Sequence, residues 1–358
     1  MVQRILVAVL ATVLAALGET GCSSSGNSLP RAASAANPLA SAGLPMARVR
    51  IKEFSDLPRY SDYYHPSAIT NGPDGALWVT DDIDQDFGEN VVVRIEPTGK
   101  RTNAYYYGGV STEGASFQDV TSGPDGNLWI TDEYNEQILR MSLDGHFKGF
   151  PLQGFVAPIS ITSGPDGALW FTEYGAIGRI TTQGKITTYS ESGGLQDIAA
   201  GPDGALWFTE AQAGKIGRIT THGKVTEYSN GISSGSEPYS IALGPDGALW
   251  FTEALGGRIG RITTKGKVTE YSNGITPTEQ PDDIAVGADG AMWFTEFEES
   301  GSYLINTSKI GRITTAGWIS EYSRHLDPTS EPTGIAHGPD GNMWFVEGMA
   351  DRVGRVRL

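Results

Sequence analysis

Seven times between Gly72 and Glu347 the chain repeats one phrase, close to G-P-D-G-(A/N)-(L/M)-W-(F/V/I)-T-(E/D). The copies begin at Gly72, Gly123, Gly164, Gly201, Gly244, Gly287 and Gly338, and their tryptophans (Trp78, Trp129, Trp170, Trp207, Trp250, Trp293, Trp344) stand 37 to 51 residues apart. A period of about 40 to 50 residues made of short strands and tight turns is the sequence signature of a β-propeller with one four-stranded blade per repeat.

The unit is cleanest from Glu237 to Ser272, where SIAL, a GPDG turn, ALWFTEA, a Gly-Gly loop, RIGRITT, a Lys-Gly turn and KVTEYS follow one another. Glycine supplies positive φ, proline presets φ at the second position, and aspartate bonds its own backbone, so GPDG between apolar runs is a turn. The runs are four to seven residues long and rich in Ile, Val, Thr, Phe and Tyr. No sustained 3.6-residue period follows the N-terminal stretch, so the fold class is all-β.

The last repeat lacks a fourth strand, since the chain stops at Leu358 soon after the run around Val353 to Val356. The segment Ala47 to Ser55, ARVRIKEFS, resembles the KVTEYS strands and precedes the first GPDG copy. It is expected to complete the last blade as its outer strand, closing the ring and removing open sheet edges.

Residues 1–22 read as a signal peptide: Arg4, an apolar stretch from Ile5 to Leu17, then Gly21-Cys22. Cys22 is the only cysteine, which leaves no disulfide framework, and its place resembles the lipid-modified cysteine of bacterial lipoproteins. Glu19 stands where that pattern carries an apolar residue, so plain secretion or a periplasmic location is the alternative. Residues 23–46, rich in Ser, Ala, Gly, Asn and Pro, read as a flexible tether, and residues 47–358 as one propeller domain. A formal charge of −16 argues against nucleic acid and against an anionic membrane surface, leaving a lipid anchor as the membrane contact. It suits neutral or cationic ligands or a metal, and the expected chain is an exported monomer of the cell envelope.

In such a blade both hairpin turns, GPDG and T-x-G-K, lie on one face. The opposite face carries the insertions: 81–90, 108–115, 230–238, 297–308 and 324–332. Function in a repeat protein concentrates where loops vary. The second strand of every repeat ends there on an acid (Asp81, Asp132, Glu173, Glu210, Glu253, Glu296, Glu347), a ring of carboxylates. The third strand carries an arginine (Arg94, Arg140, Arg179, Arg218, Arg261, Arg312, Arg355). Sevenfold repetition assigns these charges to holding blades together, with the tryptophans packed between blades. A catalytic site is asymmetric, so it is expected where the repeat breaks.

GPDGALWFTE followed by GKIGRITT-x-GKVTEY, seven times over, resembles the virginiamycin B lyase (streptogramin lyase) family across about Ala47 to Leu358. The resemblance implies a seven-bladed propeller that opens cyclic depsipeptides at an ester bond by elimination, using Mg2+ and a histidine base. Elimination needs a base near a Cα proton and an electrophile on the ester carbonyl. In the family the histidines follow a proline at the start of the first strand in the last two blades, with a glutamate before the last proline. The equivalents here are Pro281-Asp282-Asp283-Ile284 and Glu331-Pro332-Thr333-Gly334-Ile335, so both histidines are replaced while Glu331 is kept. Glu347 lies near a second family carboxylate, with a spacing that differs by one residue.

Five histidines remain. His146, His222 and His337 fall toward the tight face, whereas His65, before Pro66, and His325, in the long loop entering blade 7, fall on the variable face. A site assembled where blade 7 meets blade 1 would use His65 or His325 as base and Glu331, Glu347 and Asp282 as metal ligands. The alternative is two exposed loop histidines without a role. Asp82, Asp84 and Asp86 in the first long loop offer alternating carboxylates that suit Ca2+, although the loop is not an EF-hand. The competing readings are a lyase acting on a cyclic ester or peptide ligand, a non-catalytic propeller binding an envelope partner, and, by fold analogy alone, a metal-dependent lactonase.

Overall fold

A computed structural model describes residues 49–54, 64–83, 89–108, 115–154, 156–299 and 305–358. These form seven four-stranded antiparallel sheets, with no helix among the described residues. The innermost strands are Tyr64–Asn71, Phe117–Ser122, Pro158–Ser163, Leu195–Ala200, Pro238–Leu243, Gln280–Val286 and Pro332–His337, one for each of blades 1 to 7. Each packs beside the next, and that of blade 7 beside that of blade 1, so the sheets close into a β-propeller.

Closure follows the sequence expectation. Arg50–Phe54 is the outermost strand of blade 7, paired antiparallel with Arg352–Arg357 from Arg50↔Arg357 to Phe54↔Val353. Two of the expected loop insertions are instead extended hairpins. In blade 1 the second strand runs to Ile83 and the third starts at Glu89. In blade 6, Ala291–Glu299 and Ile305–Thr314 stay paired out to Glu299↔Ile305.

Blade 3 shows why the repeated phrase has its composition. Gly167 takes φ +72° in the turn, and a Cβ on Gly164 would lie 2.4 Å from Cδ1 of Trp170, so the indole excludes any side chain there. Asp166 accepts hydrogen bonds from Trp170 Nε1 at 3.0 Å and from Arg179 Nε at 2.7 Å. Partial burial opposes its charge, but these two bonds prevail and hold the Asp166 carboxyl below the usual range. The Arg179 guanidinium lies over the Trp170 ring, and Tyr189 stacks on the same indole at 5.6 Å. Trp170 is wholly buried against Leu195, Ile198, Leu206 and Phe208 of blade 4. Burying an indole removes about 150–250 Å² from water, worth roughly 4–6 kcal/mol at about 25 cal/mol per Å².

The tryptophans therefore pack between blades, as expected. The third-strand charges bind chiefly within their own blade, and two also reach across a gap: Arg140 donates to the Thr182 carbonyl of blade 3 at 3.3 Å and Arg355 to the Pro97 carbonyl of blade 1 at 2.9 Å. Every third-strand arginine pairs with the turn aspartate of its own blade, at 2.6 to 3.7 Å. Second-strand threonines add a repeated set of hydrogen bonds between blades. Thr172, Thr209, Thr252 and Thr295 each donate at 2.7 Å to a main-chain carbonyl of the next inner strand, those of Gln196, Tyr239, Asp282 and Thr333. A hydroxyl suits this seam because it satisfies a buried carbonyl without carrying a charge out of water.

Candidate functional site

The second-strand acids stand at the variable-loop end, each opposite the first proline or leucine of the inner strand: Pro158↔Glu173, Leu195↔Glu210, Pro238↔Glu253, Pro281↔Glu296 and Pro332↔Glu347. Glu210, Glu253, Glu296 and Glu347 have no exposed surface. The arginines are bound at the opposite end of each blade, and in blades 4 to 7 the outermost strand adds a second glutamate (Glu227, Glu270, Glu321, Glu53) whose field reaches these acids. Burial first, and then that like charge, pushes Glu210 up to about 7 and Glu253 and Glu347 to about 8. Glu296 is raised well above its ordinary value by burial and by Glu321 and Glu279, against the opposing pull of Lys309. The expected ring of carboxylates is thus, in blades 5 to 7, a set of buried acids whose ionisation is pushed up by burial and like charge.

The loops entering blades 5, 6 and 7 share one device. A main-chain N–H in each, from Ser233, Thr276 and Asp327, donates to the outer-strand glutamate of the following blade, Glu270, Glu321 and Glu53 respectively. Glu53 also accepts from Arg352 at 3.1 Å. This pinning fixes the chain leading into blade 7. There His325 is exposed in a left-handed conformation at φ +69°, and Glu331 takes φ +51°, a conformation Glu237 repeats at the same place in blade 5. The Glu331 main chain is held on both sides, its N–H donating to Ser308 Oγ at 3.2 Å and its carbonyl accepting from Gly348 at 2.9 Å.

A β-bulge follows the first proline of the inner strands of blades 6 and 7, as register shifts at Pro281/Ile284 and Pro332/Ile335 show. Such bulges re-aim side chains beside a site. Asp282 and Thr333, the positions where the family pattern has histidine, lie within these two bulges. Thr333 is buried and its hydroxyl donates to the Pro66 carbonyl at 3.3 Å, tying blade 7 to blade 1. Asp282 is half-buried. His65 precedes Pro66 as Glu331 precedes Pro332, so the two occupy equivalent positions on adjacent inner strands. The structure therefore brings Asp282, Glu331 and His65 onto the inner strands, or their entries, of blades 6, 7 and 1.

No group of three or more His, Cys, Asp or Glu side chains poised for a metal occurs among the described residues. Glu347 is closed off, with both carboxyl oxygens buried, and serves a cation only if the side chain leaves that position. The donors that remain for Mg2+ are Glu331 and Asp282, and one or two carboxylates are what Mg2+ takes while keeping most of its waters. Asp82 lies in the blade 1 hairpin, in main-chain register with His65. Asp84, Asp86 and Cys22 fall outside the described residues. His146 and His222 are exposed and His337 is half-buried next to the turn at Gly338, all at the tight end.

One feature escaped the sequence reading. At a single position of the inner strands, blades 2 to 6 alternate Asp119, Ser160, Asp197, Ser240 and Asp283 around the channel. Ser160 Oγ lies 2.9 Å from Asp119 Oδ2 and 2.6 Å from Asp197 Oδ1. Ser240 Oγ repeats this, 2.9 Å from Asp197 Oδ2 and 2.7 Å from Asp283 Oδ1. Main-chain N–H groups of Ile161, Ile241 and Ile335 donate to the same carboxyls across the blade gaps at 2.7 to 2.8 Å. Asp119, Ser160 and Asp197 of this belt border a channel cavity of about 380 Å³ whose other walls are Thr162 and Ile, Ala, Leu and Val side chains. The signal was legible as QDV, ISI, QDI, YSI and DDI, but an alternation between blades is invisible when repeats are compared for identity.

The model of the virginiamycin B lyase family matches residues 53–302. No curated protein sequence matches the chain. Among solved structures, virginiamycin B lyase from Staphylococcus aureus is 35% identical over 87% of this chain and 99% of its own, with a TM-score of 0.74. A streptogramin B lyase structure is 31% identical with the same coverage and a TM-score of 0.75. A catalytically inactive histidine-to-alanine variant of the S. aureus enzyme, solved with quinupristin, is 34% identical over 87% of this chain and 99% of its own, with a TM-score of 0.73. With its repeats, its closed seven-bladed ring and these matches, the chain belongs to the virginiamycin B lyase family.

Proposed function

We propose that this chain binds a cyclic ester or cyclic depsipeptide at the variable-loop end of the propeller, where blades 6, 7 and 1 meet. The observation that carries the reading is the placement of Asp282, Glu331 and His65 at the start of three adjacent inner strands, beside loops pinned in place by Glu321 and Glu53. Quinupristin, which occupies the S. aureus variant, is the ligand to try first. Calorimetric titration of the full chain should show saturable binding that Glu331→Gln and Asp282→Asn weaken by about tenfold or more. Absence of heat together with an unchanged melting point at saturating quinupristin would reject this site.

A second reading, ester opening by elimination, is favoured by one contact. Pro66, whose carbonyl accepts from Thr333, follows His65, so a histidine starts the strand beside the position where the family carries its own. In that chemistry the base removes a Cα proton, the C–H electron pair forms a C=C bond, and the ester C–O bond breaks with its pair on the departing carboxylate. Mg2+, held by Glu331 and Asp282, would supply polarisation of the ester carbonyl. Thr333 cannot act as the base, because its hydroxyl has no acidity or basicity of use near neutrality and is engaged in the seam. Mass spectrometry should then show a ring-opened product of unchanged mass. His65→Ala or His325→Ala, whichever removes the base, should slow it by about 10²-fold or more, with His222→Ala as the silent control. Binding without any ring-opened product would leave the binding reading standing and remove the catalytic one.

We further propose that residues 1–22 direct export and that Cys22 carries a lipid anchor, on the strength of the apolar stretch Ile5 to Leu17 ahead of Gly21-Cys22. Cys22→Ser should move the chain from the membrane to the soluble fraction, and unchanged fractionation would exclude that anchor.

A further inference from the structure

We propose that Asp119, Ser160 and Asp197 form a proton-binding site in the channel wall that holds one carboxylic proton at neutral pH and releases it into the channel as the pH rises. The inference rests on counting hydrogens. Ser160 Oγ makes two short oxygen contacts, with Asp119 Oδ2 at 2.9 Å and with Asp197 Oδ1 at 2.6 Å. A hydroxyl has one hydrogen to donate. With both carboxyls ionised, one contact would press a serine lone pair against a carboxylate oxygen in a site of low dielectric. A proton on one carboxyl turns that contact into a second hydrogen bond, in which the carboxylic acid donates to Ser160 and Ser160 donates to the other carboxylate.

The surroundings do not relieve the demand. The remaining N–H contacts of these oxygens come from Val120 at 2.7 Å and Ile161 at 2.8 Å on Asp119, and from Ile198 and Ile241, each at 2.7 Å, on Asp197, while Ser240 Oγ, 2.9 Å from Asp197 Oδ2 and 2.7 Å from Asp283 Oδ1, is under the same one-hydrogen limit and has none to spare. They steady the negative charge but leave the pair one hydrogen short. The charged group facing Asp119 is Asp197, of the same sign. The inner strand of blade 3 contributes no titratable side chain, and that of blade 1, which packs beside the Asp119 strand, contributes Tyr64 and His65. That of blade 5 contributes Tyr239 and that of blade 6 contributes Asp282 and Asp283, the latter reached through Ser240. Asp119 and Asp197 are half-buried and both line the channel cavity of about 380 Å³, which offers the proton its way out. Consistent with the geometry, burial and then the Asp197 charge push Asp119 up to about 7, and burial raises Asp197 as well.

Ser160→Ala supplies the test, because the space left by the hydroxyl borders the cavity and admits a water. Water has two hydrogens, donates to both carboxylates, and removes the need for the shared proton. Potentiometric titration of the folded full chain between pH 5 and 9 should show wild type releasing one proton more near neutrality than Ser160→Ala. Ser163→Ala, whose hydroxyl donates to the Ser122 carbonyl instead of a carboxyl, should titrate as wild type. Asp119→Ala is the second variant, since it leaves Ser160 with one acceptor and should lose the same proton. Should one of the two variants fail to fold by circular dichroism, the other decides. Should both fail, the infrared spectrum of Asp283→Asn decides, because Asp283 is itself raised to about 8 and would give such a band in wild type; a carboxylic-acid carbonyl band lost between pH 6 and 9 with Asp-specific carbon-13 labelling is the expected result. Superimposable titration curves for wild type and a folded variant, or no Asp-labelled acid band, would overturn the proposal.

Discussion

Glu296 has no exposed surface and its carboxyl oxygens have no hydrogen-bond partner among the described residues, so its ionised form would be a buried charge offset only by the field of Lys309. Replacing it by glutamine keeps the shape and removes the ionisation. Glu296→Gln should therefore melt close to wild type at pH 5 and above it at pH 9, as scanning calorimetry at both values would show; a lower melting point at pH 9 would mean the side chain functions as an anion. Asp203 is the opposite case, since it binds Trp207 Nε1 at 3.1 Å and Arg218 Nε at 2.7 Å on the tight side. Asp203→Ala strands both donors and should cost about 2–4 kcal/mol by urea denaturation, one charged and one neutral bond at the usual net values. Part of the candidate site was legible at this scale: Asp282 and Thr333 stood out as replacements of the family's histidines, and Glu331 as the family glutamate that is kept. The Asp119–Ser160–Asp197 contact was not, because it needs three blades and the distances between them.

At the level of strands, hydrophobic period and turn chemistry carried nearly everything. GPDG marked each inner hairpin because glycine at its first position is demanded by the indole six residues later, as Gly164 and Trp170 show. The missing last strand was legible as ARVRIKEFS, and Arg50–Phe54 fills it. What periodicity could not tell was whether an insertion is a loop or a longer hairpin. Phe297 to Glu299 and Ile305 to Ser308 remain paired strand, since alternating residues with no turn signal simply extend the ladder. The closing strand also presents Phe54, which stacks on Trp344 at 5.4 Å, and Glu53, which accepts from Arg352 and Asp327. Deleting residues 47–55 should therefore destabilise the propeller strongly, while deleting residues 23–45 should not. Circular dichroism melts of the two truncations decide the matter, and equal melting temperatures would contradict closure by this strand.

The whole molecule adds these acids into one dependence on pH. Asp119, Glu173 and Glu210 are raised to about 7 and Glu253, Asp283 and Glu347 to about 8, in each case first by burial. A carboxyl raised on folding makes the folded chain bind more protons than the unfolded one between the ordinary value near 4 and the raised value. Its contribution is fully present below the ordinary value and is lost as the pH rises through the folded one. The turn aspartates work the other way: Asp74, Asp166, Asp203, Asp246 and Asp340 are held below 3.8, so their contribution is present above it and lost in stronger acid. The formal charge of −16 sharpens the alkaline side, because each proton lost from the interior adds to an already repulsive surplus of negative charge. Stability should thus peak in mild acid, at about pH 4 to 6, and fall continuously toward pH 9. Melting temperatures measured across pH 4 to 9 at constant ionic strength check this directly. A flat profile, or one rising toward pH 8, would show that the buried acids of blades 4 to 7 are ionised in the folded chain and must find donors that the neutral-acid picture does without.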